Sequence, residues 1–371
     1  MRIVGKSICG ATLALLAGTA AAQSSVTLYG VADVFLQYMD NGGQHAYSER
    51  SGGNTGSMFG LKGSEELGNG LKAIFDVETG FNVNNGTLFA NTSSIFYRQA
   101  WVGLTNDRYG TLTFGRVYQP TFWIVYPTDP FRGNEILSPL SAGVLAVDRN
   151  TLATQYVTGR TSNAILYKSP NISGFQAYAM YGFAATVTQP VPQTSGNTLD
   201  LAASYSGYGL YAGIAYQYQH PGTETLPGLP AALNLLGTEH YTGAIGYRFG
   251  IVNLTFNYAY NKPHDASSRS LAALLGADHS NSLMELGATI QATAADAIEI
   301  AGVERNVRGA HDNTVGVEVG VDHNLSKRTA LYMRAGYMKN NGSATMTWPG
   351  VTANGANATQ VLVALGMTHR F

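Results

Sequence analysis

Apolar residues recur at every second position along most of this chain, and that period fixes the fold class. Val315, Val317, Val319 and Val321 enclose Gly316, Glu318 and Gly320. Val252, Leu254, Phe256, Tyr258 and Tyr260 enclose Asn253, Thr255, Asn257 and Ala259. Between Leu210 and Tyr218, the residues Ala212, Ile214 and Tyr216 alternate with Gly213, Ala215 and Gln217, and Val361, Val363, Leu365 and Met367 repeat the pattern near the end. A two-residue period places successive side chains on opposite faces of a strand. Beyond residue 22 no apolar run reaches the ~18 residues that a membrane helix requires. Charged residues make up only 12%, well below the ~25% of an ordinary soluble domain. Two fold classes fit: a large soluble β-protein or a membrane β-barrel.

The connections separate them. Short ones at Glu65–Gly70, Thr105–Gly110, Ser169–Gly174, Ser206–Gly209, Phe249–Gly250, Thr293–Asp296 and Asn324–Thr329 alternate with longer ones at about 40–56, 82–93, 119–159, 184–196, 220–238, 262–281, 308–312 and 340–357. Seven turns and eight loops join sixteen strands. An even strand count, with short turns at one end and long loops at the other, is the pattern of a transmembrane barrel. Both termini then lie at the short-turn, periplasmic end. In lipid every backbone N–H and C=O needs a partner, and among sheets only a closed barrel supplies it. Val, Leu, Ile, Phe and Tyr are expected toward lipid, with Asn, Gln, Asp, Glu, Arg and Gly toward the lumen. A sixteen-stranded barrel is too wide for side chains to fill, so it encloses water.

Residues 1–22 read as a removable export signal. Arg2 and Lys6 form a basic start, Ile8 to Ala17 a short apolar stretch, and Ala20-Ala21-Ala22 a small-residue cleavage site. Residues 23–371 then form the barrel, without Cys9, the chain's single cysteine. Removing Arg2 and Lys6 leaves 20 of the 22 basic residues against 23 acidic ones, a net charge of −3. That balance excludes a nucleic-acid partner. The eight histidines lack the spacing of a metal site. No nucleophile elbow or phosphate loop is present, so neither a metal, a cofactor nor an enzymatic activity is expected.

Several segments are similar to general porins. Ser25-Val-Thr-Leu-Tyr-Gly-Val-Ala-Asp33, Phe59-Gly-Leu-Lys-Gly-Ser-Glu-Glu-Leu67 and Gly70-Leu-Lys-Ala-Ile-Phe-Asp-Val-Glu78 resemble the first three strands of that family. Arg98-Gln-Ala-Trp-Val-Gly-Leu104 and Phe114-Gly-Arg116 resemble the fourth and fifth. The likeness continues through Ser169-Pro-Asn-Ile-Ser-Gly-Phe175 and Leu325-Ser-Lys-Arg-Thr329 to His369-Arg-Phe371, and it is to the β-proteobacterial, Burkholderia- and Bordetella-like branch. The resemblance implies an outer-membrane general diffusion channel for ions and small hydrophilic solutes. It also implies a homotrimer of barrels, each with its third long loop folded inward. The implied partners are other copies of the chain, outer-membrane lipid and lipopolysaccharide, and the barrel-assembly machinery.

The family's constriction sets a basic arc on the wall against acids on the inward loop. Arg98 shares parity with Ala100 and Val102, opposite Trp101, and a charge facing lipid there would be expensive. That assigns Arg98 to the arc, and Arg160 joins it by the same reasoning. Strict alternation places Arg116 on the lipid side with Leu112 and Phe114, unless Gly115 bends the strand. On the loop, Asp129 and Glu135 are the expected acids, with Asp148 a further candidate and Arg132 a neighbour able to pair with Asp129. Asp33, Lys62, Asp76 and Glu78 are expected to set the lumen charge. Relatives carry arginine where this chain has Met58, so weak ion selectivity is expected.

The alternative within transport is a substrate-specific channel for a sugar or organic acid. It requires an aromatic track, and inward tyrosines such as Tyr29 and Tyr178 are too few to build one. A barrel phospholipase would need a membrane-level Ser and His pair, and an adhesin would use its loops. Phe371 resembles the terminal aromatic read during barrel assembly. Deleting it is expected to lower the outer-membrane yield at native expression and leave chain in the periplasm. An unchanged membrane level would remove Phe371 from that role.

Overall fold

The computed structural model describes residues 25–371 except 90–93, 135, 152–158, 185–195, 225–232, 236 and 265–277. The expected export signal and Glu135 lie outside the described residues.

The wall begins with β1 (Ser25–Asn41), β2 (Gln44–Ser51), β3 (Met58–Gly68), β4 (Leu71–Gly80), β5 (Gln99–Asn106) and β6 (Gly110–Tyr118). It continues with β7 (Arg160–Lys168), β8 (Phe175–Gly182), β9 (Thr198–Gly207) and β10 (Leu210–Gln219). A short pair outside the wall, β11 (Gly222–Glu224) and β12 (Leu233–Leu235), follows. Then come β13 (Thr238–Phe249), β14 (Val252–Pro263), β15 (Asn281–Gln291), β16 (Asp296–Val307), β17 (Asp312–Asn324), β18 (Thr329–Gly342) and β19 (Thr359–Arg370). From β3 onward each wall strand pairs antiparallel with the next, and β19 pairs with β1 from Asn41↔Gln360 to Val31↔Arg370. Along its other edge β1 pairs with β2 over Val34–Asn41 and with β3 over Ser25–Val31. These two segments are halves of one interrupted strand, so the barrel has sixteen strands.

The first long connection differs from expectation. Instead of a loop over 40–56, the chain turns tightly at Gly42-Gly43, with φ of 62° and 85°. Two consecutive left-handed positions match the twist of a two-residue hairpin, and glycine occupies both without steric cost. Residues 52–57 then leave the wall between β2 and β3. The 308–312 connection is also short, since β16 ends at Val307 and β17 begins at Asp312.

Alternation sorts the two faces as expected on the outside. Ile214 is 67% exposed, Leu286 66% and Leu365 56%, forming part of the surface offered to lipid. The inner face is not uniformly polar, contrary to expectation. Phe35, Met39, Leu283, Val303, Tyr332, Met338 and Leu362 point inward and are buried. They pack against Ile136, Leu137 and Leu140 of the third long connection and against Met346 and Trp348 from the last one. A segment folded into a wet bore needs a dry contact to stay there. Each fully buried side chain of this size contributes about 1.5–3 kcal/mol, an upper range because unfolded chains also bury apolar area.

The third connection carries α1 (Pro120–Val125), a 3-10 turn (Tyr126–Thr128) and α2 (Pro139–Thr151). α1 lies against β8, β9, β10 and β13, and α2 crosses β14 to β17. The loop therefore runs along the inner wall. Ser138 caps α2, with its hydroxyl accepting from Ser141 N at 3.2 Å and Pro139 at the first helical position. The wall makes room for it at Gly287, where a Cβ would lie 2.5 Å from Pro130 Cγ. Gly287→Leu is expected to push the loop off the wall and change single-channel conductance while the barrel still forms. Wild-type conductance in a folded Gly287→Leu protein would show that the seat of Pro130 does not hold the loop.

Candidate functional site

Where β6 hands over to α1, the wall and the loop meet around Tyr118. Arg160 places its guanidinium 4.4 Å from the Tyr118 ring centroid and donates to the hydroxyl at 2.6 Å. Arg98 donates to the same hydroxyl at 3.2 Å and to Glu78 Oε1 at 2.6 Å. Both arginines are buried in the wall, at 7% exposure for Arg98 and 4% for Arg160. Beneath them Trp101, Val117, Ala164, Leu166 and Met180 form an apolar inner patch.

The route by which Arg98 enters the lumen is not the one its parity indicates. Val102 is 58% exposed toward lipid, and Trp101 is inward. Arg98 precedes the first regular residue of β5, Gln99, and so escapes the alternation of that strand. Arg116 does not reach the lumen, which corrects its candidacy for the wall arc. The register shift between Gly115 and Val117 puts the extra residue on β7, between Thr161 and Ala164, so β6 keeps its alternation. Arg116 pairs in register with outward Ala100 and donates to the Tyr97 carbonyl and, at 2.8 Å, to Ser162 Oγ. Plain alternation along β6 keeps Val117 inward with Thr113 and leaves Arg116 on the side of exposed Phe114.

Asp129 sits on the loop but does not face the arginine arc. Its oxygens accept from Phe131 N and Gly133 N, both at 2.8 Å, and from Ser138 Oγ at 2.9 Å. It is 3% exposed, and burial pushes its carboxyl above the usual carboxylate range while these bonds pull it back. Arg132 does not pair with the Asp129 side chain; its guanidinium lies 3.8 Å from Glu299. Asp33 is likewise no lumen charge. It is fully buried and accepts from the N–H groups of Gly53, Asn54 and Thr55 at 2.7, 3.1 and 3.1 Å and from Tyr332 Oη at 2.6 Å. That carboxylate holds the inward fold 52–57. Asp76 and Glu78 share the Tyr29 hydroxyl, at 2.8 and 3.1 Å, and the Lys62 ammonium lies 4.9 Å from the Tyr29 ring centroid.

The acids that do lie opposite the arc belong to the wall, and the loop covers them. Asp200, Glu285, Glu299 and Glu318 are each at most 1% exposed. Asp200 accepts from Thr121 N and Thr121 Oγ1 at 3.2 and 2.9 Å, fastening α1. Glu299 and Asp322 flank Arg334 at 3.1 and 2.7 Å. Between loop and wall remains a cavity of about 770 Å³. Among the described residues its lining contains five arginines, Arg50, Arg98, Arg132, Arg160 and Arg370, against two carboxylates, Glu78 and Asp129. Arg50 donates to the neutral oxygens of Gln37 and Pro349 at 3.1 and 2.8 Å.

A closed sixteen-stranded wall with a loop folded along its bore agrees with the sequence relationships. The Gram-negative porin family model matches residues 10–343. This chain belongs to the Gram-negative porin family. Outer membrane porin protein 32 of Delftia acidovorans is 28% identical over 378 residues, covering 99% of both chains. An outer membrane porin protein of Bordetella pertussis is 34% identical over 193 residues, covering 48% of each. A solved anion-selective porin from Comamonas acidovorans superposes with a TM-score of 0.76 at 27% identity, covering 94% of this chain and 100% of that one. The porin is thus an outer-membrane β-barrel through which solutes diffuse.

Three of the lining arginines are not legible as such in the sequence. Arg50 stands in a polar stretch that reads as a loop, Arg132 reads as a partner for Asp129, and Arg370 lies inside the terminal motif. The signal available for Arg370 is its parity: it falls on the side opposite Val361 to Met367. For Asp129 the geometry gives a direct test. Asp129→Asn is expected to leave the reversal potential of the porin in a KCl gradient unchanged. A clear shift toward anions would mean that Asp129 acts as a pore charge.

Proposed function

We propose that this porin is a diffusion channel whose constriction favours anions. The carrying observation is the distribution of charge around the cavity: arginines line it, while the wall acids lie under the loop. One of the two lining carboxylates is bonded to Arg98 and the other is turned into its own loop. In a narrow, partly dehydrated passage the effective dielectric falls below that of water, and an unbalanced charge biases ion entry. The bias fades as salt rises, because screening acts over ~10 Å at 0.1 M. Met58 supplies no charge at its position, but Arg50, Arg132 and Arg370 supply charge elsewhere, which replaces the expectation of weak selectivity.

The same reading covers the porin's biology. Residues 1–22 are removed on export, and the barrel sits with both termini in the periplasm, on the side where β1 begins and β19 ends. It assembles as a homotrimer through its apolar outer face, in contact with lipopolysaccharide, after insertion by the barrel-assembly machinery. Passage involves no covalent chemistry and no cofactor. Val26, Leu28 and Leu36 on the outer face of β1, 60–65% exposed, support burial against lipid or a second copy.

A KCl gradient across planar bilayers tests the charge reading. The reversal potential is expected to have the anion sign at low salt and to decline as salt rises. Met58→Arg should move it further toward anions. Arg98→Ala should move it toward cations by more than one lost charge implies, since Glu78 then loses its guanidinium partner. Breaking such a buried pair costs about 3–5 kcal/mol, so the yield of folded Arg98→Ala protein should also fall. A cation-sign potential in the wild-type porin would overturn the proposal.

A further inference from the structure

The constriction contains more than charge. Tyr118, Phe122, Trp123 and Tyr126 form one continuous aromatic cluster at the root of the inward loop. Tyr118 stacks on Phe122 with centroids 4.6 Å apart and planes 23° apart. Trp123 stands edge-on to both, at 5.4 Å from each. Tyr126 extends the cluster, 5.4 Å from Phe122 and 6.2 Å from Trp123. All four line the cavity that the arginines line. Trp123 and Tyr126 are each 38% exposed, so part of their ring surface is open to the bore.

Ile124 explains why these rings face the bore. It is fully buried among Ala202, Ala215 and Ala244 of the wall, and the Ile124 carbonyl accepts from Tyr211 Oη at 2.8 Å. With Ile124 fixed to the wall, its neighbours Trp123 and Tyr126 project toward the opposite side. The cationic groups stand close by. Arg160 lies over the Tyr118 ring on which Phe122 stacks. The Arg132 side chain is 53% exposed, and a Cβ on Gly133 beside it would lie 3.3 Å from Tyr126 Cδ2.

We infer that this cluster and the adjoining arginines form a pore subsite for small aromatic carboxylates. The solute's ring would meet the open faces and edges of Trp123 and Tyr126, and its carboxylate would lie toward Arg132 and Arg160. Offset and edge-on ring contacts contribute beyond simple burial of area. Guanidinium groups match a carboxylate in geometry as well as charge. The arginines keep their wall contacts throughout, and the solute experiences their summed field. The inference rests on the anion preference proposed above and adds the class of anion.

Concentration-dependent block of single-channel current in KCl provides the test, with benzoate, cyclohexanecarboxylate and benzylammonium as probes. Cyclohexanecarboxylate has the same charge and a more apolar ring, so hydrophobicity alone favours it. Benzoate is expected to block at a concentration roughly two- to tenfold lower, the affinity ratio corresponding to aromatic pairing. Benzylammonium should block more weakly than benzoate. Trp123→Leu should close the gap between benzoate and cyclohexanecarboxylate, and Trp123→Phe should restore part of it. Equal block by the two carboxylates in the wild-type porin, which needs no variant, overturns the subsite. So does a gap that survives in Trp123→Leu, or block by benzylammonium equal to that by benzoate. An anion-sign reversal potential combined with equal block removes the subsite alone, whereas a cation-sign potential removes the charge reading beneath it.

Discussion

Hydrogen bonding of the backbone in lipid is the constraint on which everything else here depends. A strand that crosses hydrocarbon has no water to satisfy its N–H and C=O groups, so each edge must meet another strand. The pairing of β19 with β1 removes the last edges. Once the wall is closed, every outward side chain is committed to lipid or a neighbour and every inward one to the bore. Sixteen strands make that bore wider than wall side chains can fill. Its width at the narrowest point must then be set by chain folded in from a connection.

Folding chain into the bore solves two problems together. The loop carries its own apolar residues, Ile124, Ile136, Leu137 and Leu140, and these need dry contacts on a wall that otherwise faces water. Inward Phe35, Met39, Leu283 and Leu362 supply them for the last three, and Ala202, Ala215 and Ala244 for Ile124. The loop also lies over Asp200, Glu285, Glu299 and Glu318, taking much of the wall's acidity out of the passage. Lining charge and total charge therefore differ in sign. The chain is acidic by count, whereas the cavity is lined mainly by guanidinium groups.

Much of this was legible in the sequence because alternation and closure are local signals. The regular strands β10, β14, β17 and β19 follow their apolar period, and the short turns were visible in Asn-Gly and Gly-rich segments such as Asn69-Gly70. Three kinds of feature were not legible. The Gly42-Gly43 hairpin lay inside a polar stretch that reads equally well as a loop. An irregular position broke one parity argument: Arg98 enters the bore from outside the regular strand, whereas Arg116 stays on the lipid side where strict alternation places it. Burial under the loop was invisible as well, because it joins residues far apart in the chain, as Asp129 and Glu285 show. The aromatic cluster stood in plain view at Tyr118, Phe122, Trp123 and Tyr126. Its significance depended on Ile124 being anchored to the wall, which only tertiary packing reveals.

The inward fold at 52–57 has a consequence for the order in which the channel becomes itself. Asp33, on the first strand, holds that fold through three N–H groups and also accepts from Tyr332, on the last strand but one. The Tyr332 contact reaches across the seam where the two ends of the sheet join. Until the final hairpin docks, Asp33 lacks one of its four donors and Thr55 lacks its contact with Arg370. A half-assembled wall thus has an unfinished bore on this side, and the aperture takes its working shape in the same event that seals the cylinder. Aperture and seam are therefore one structure: the residues near the chain's start that trim the opening are held by a hydroxyl and a guanidinium from near its end.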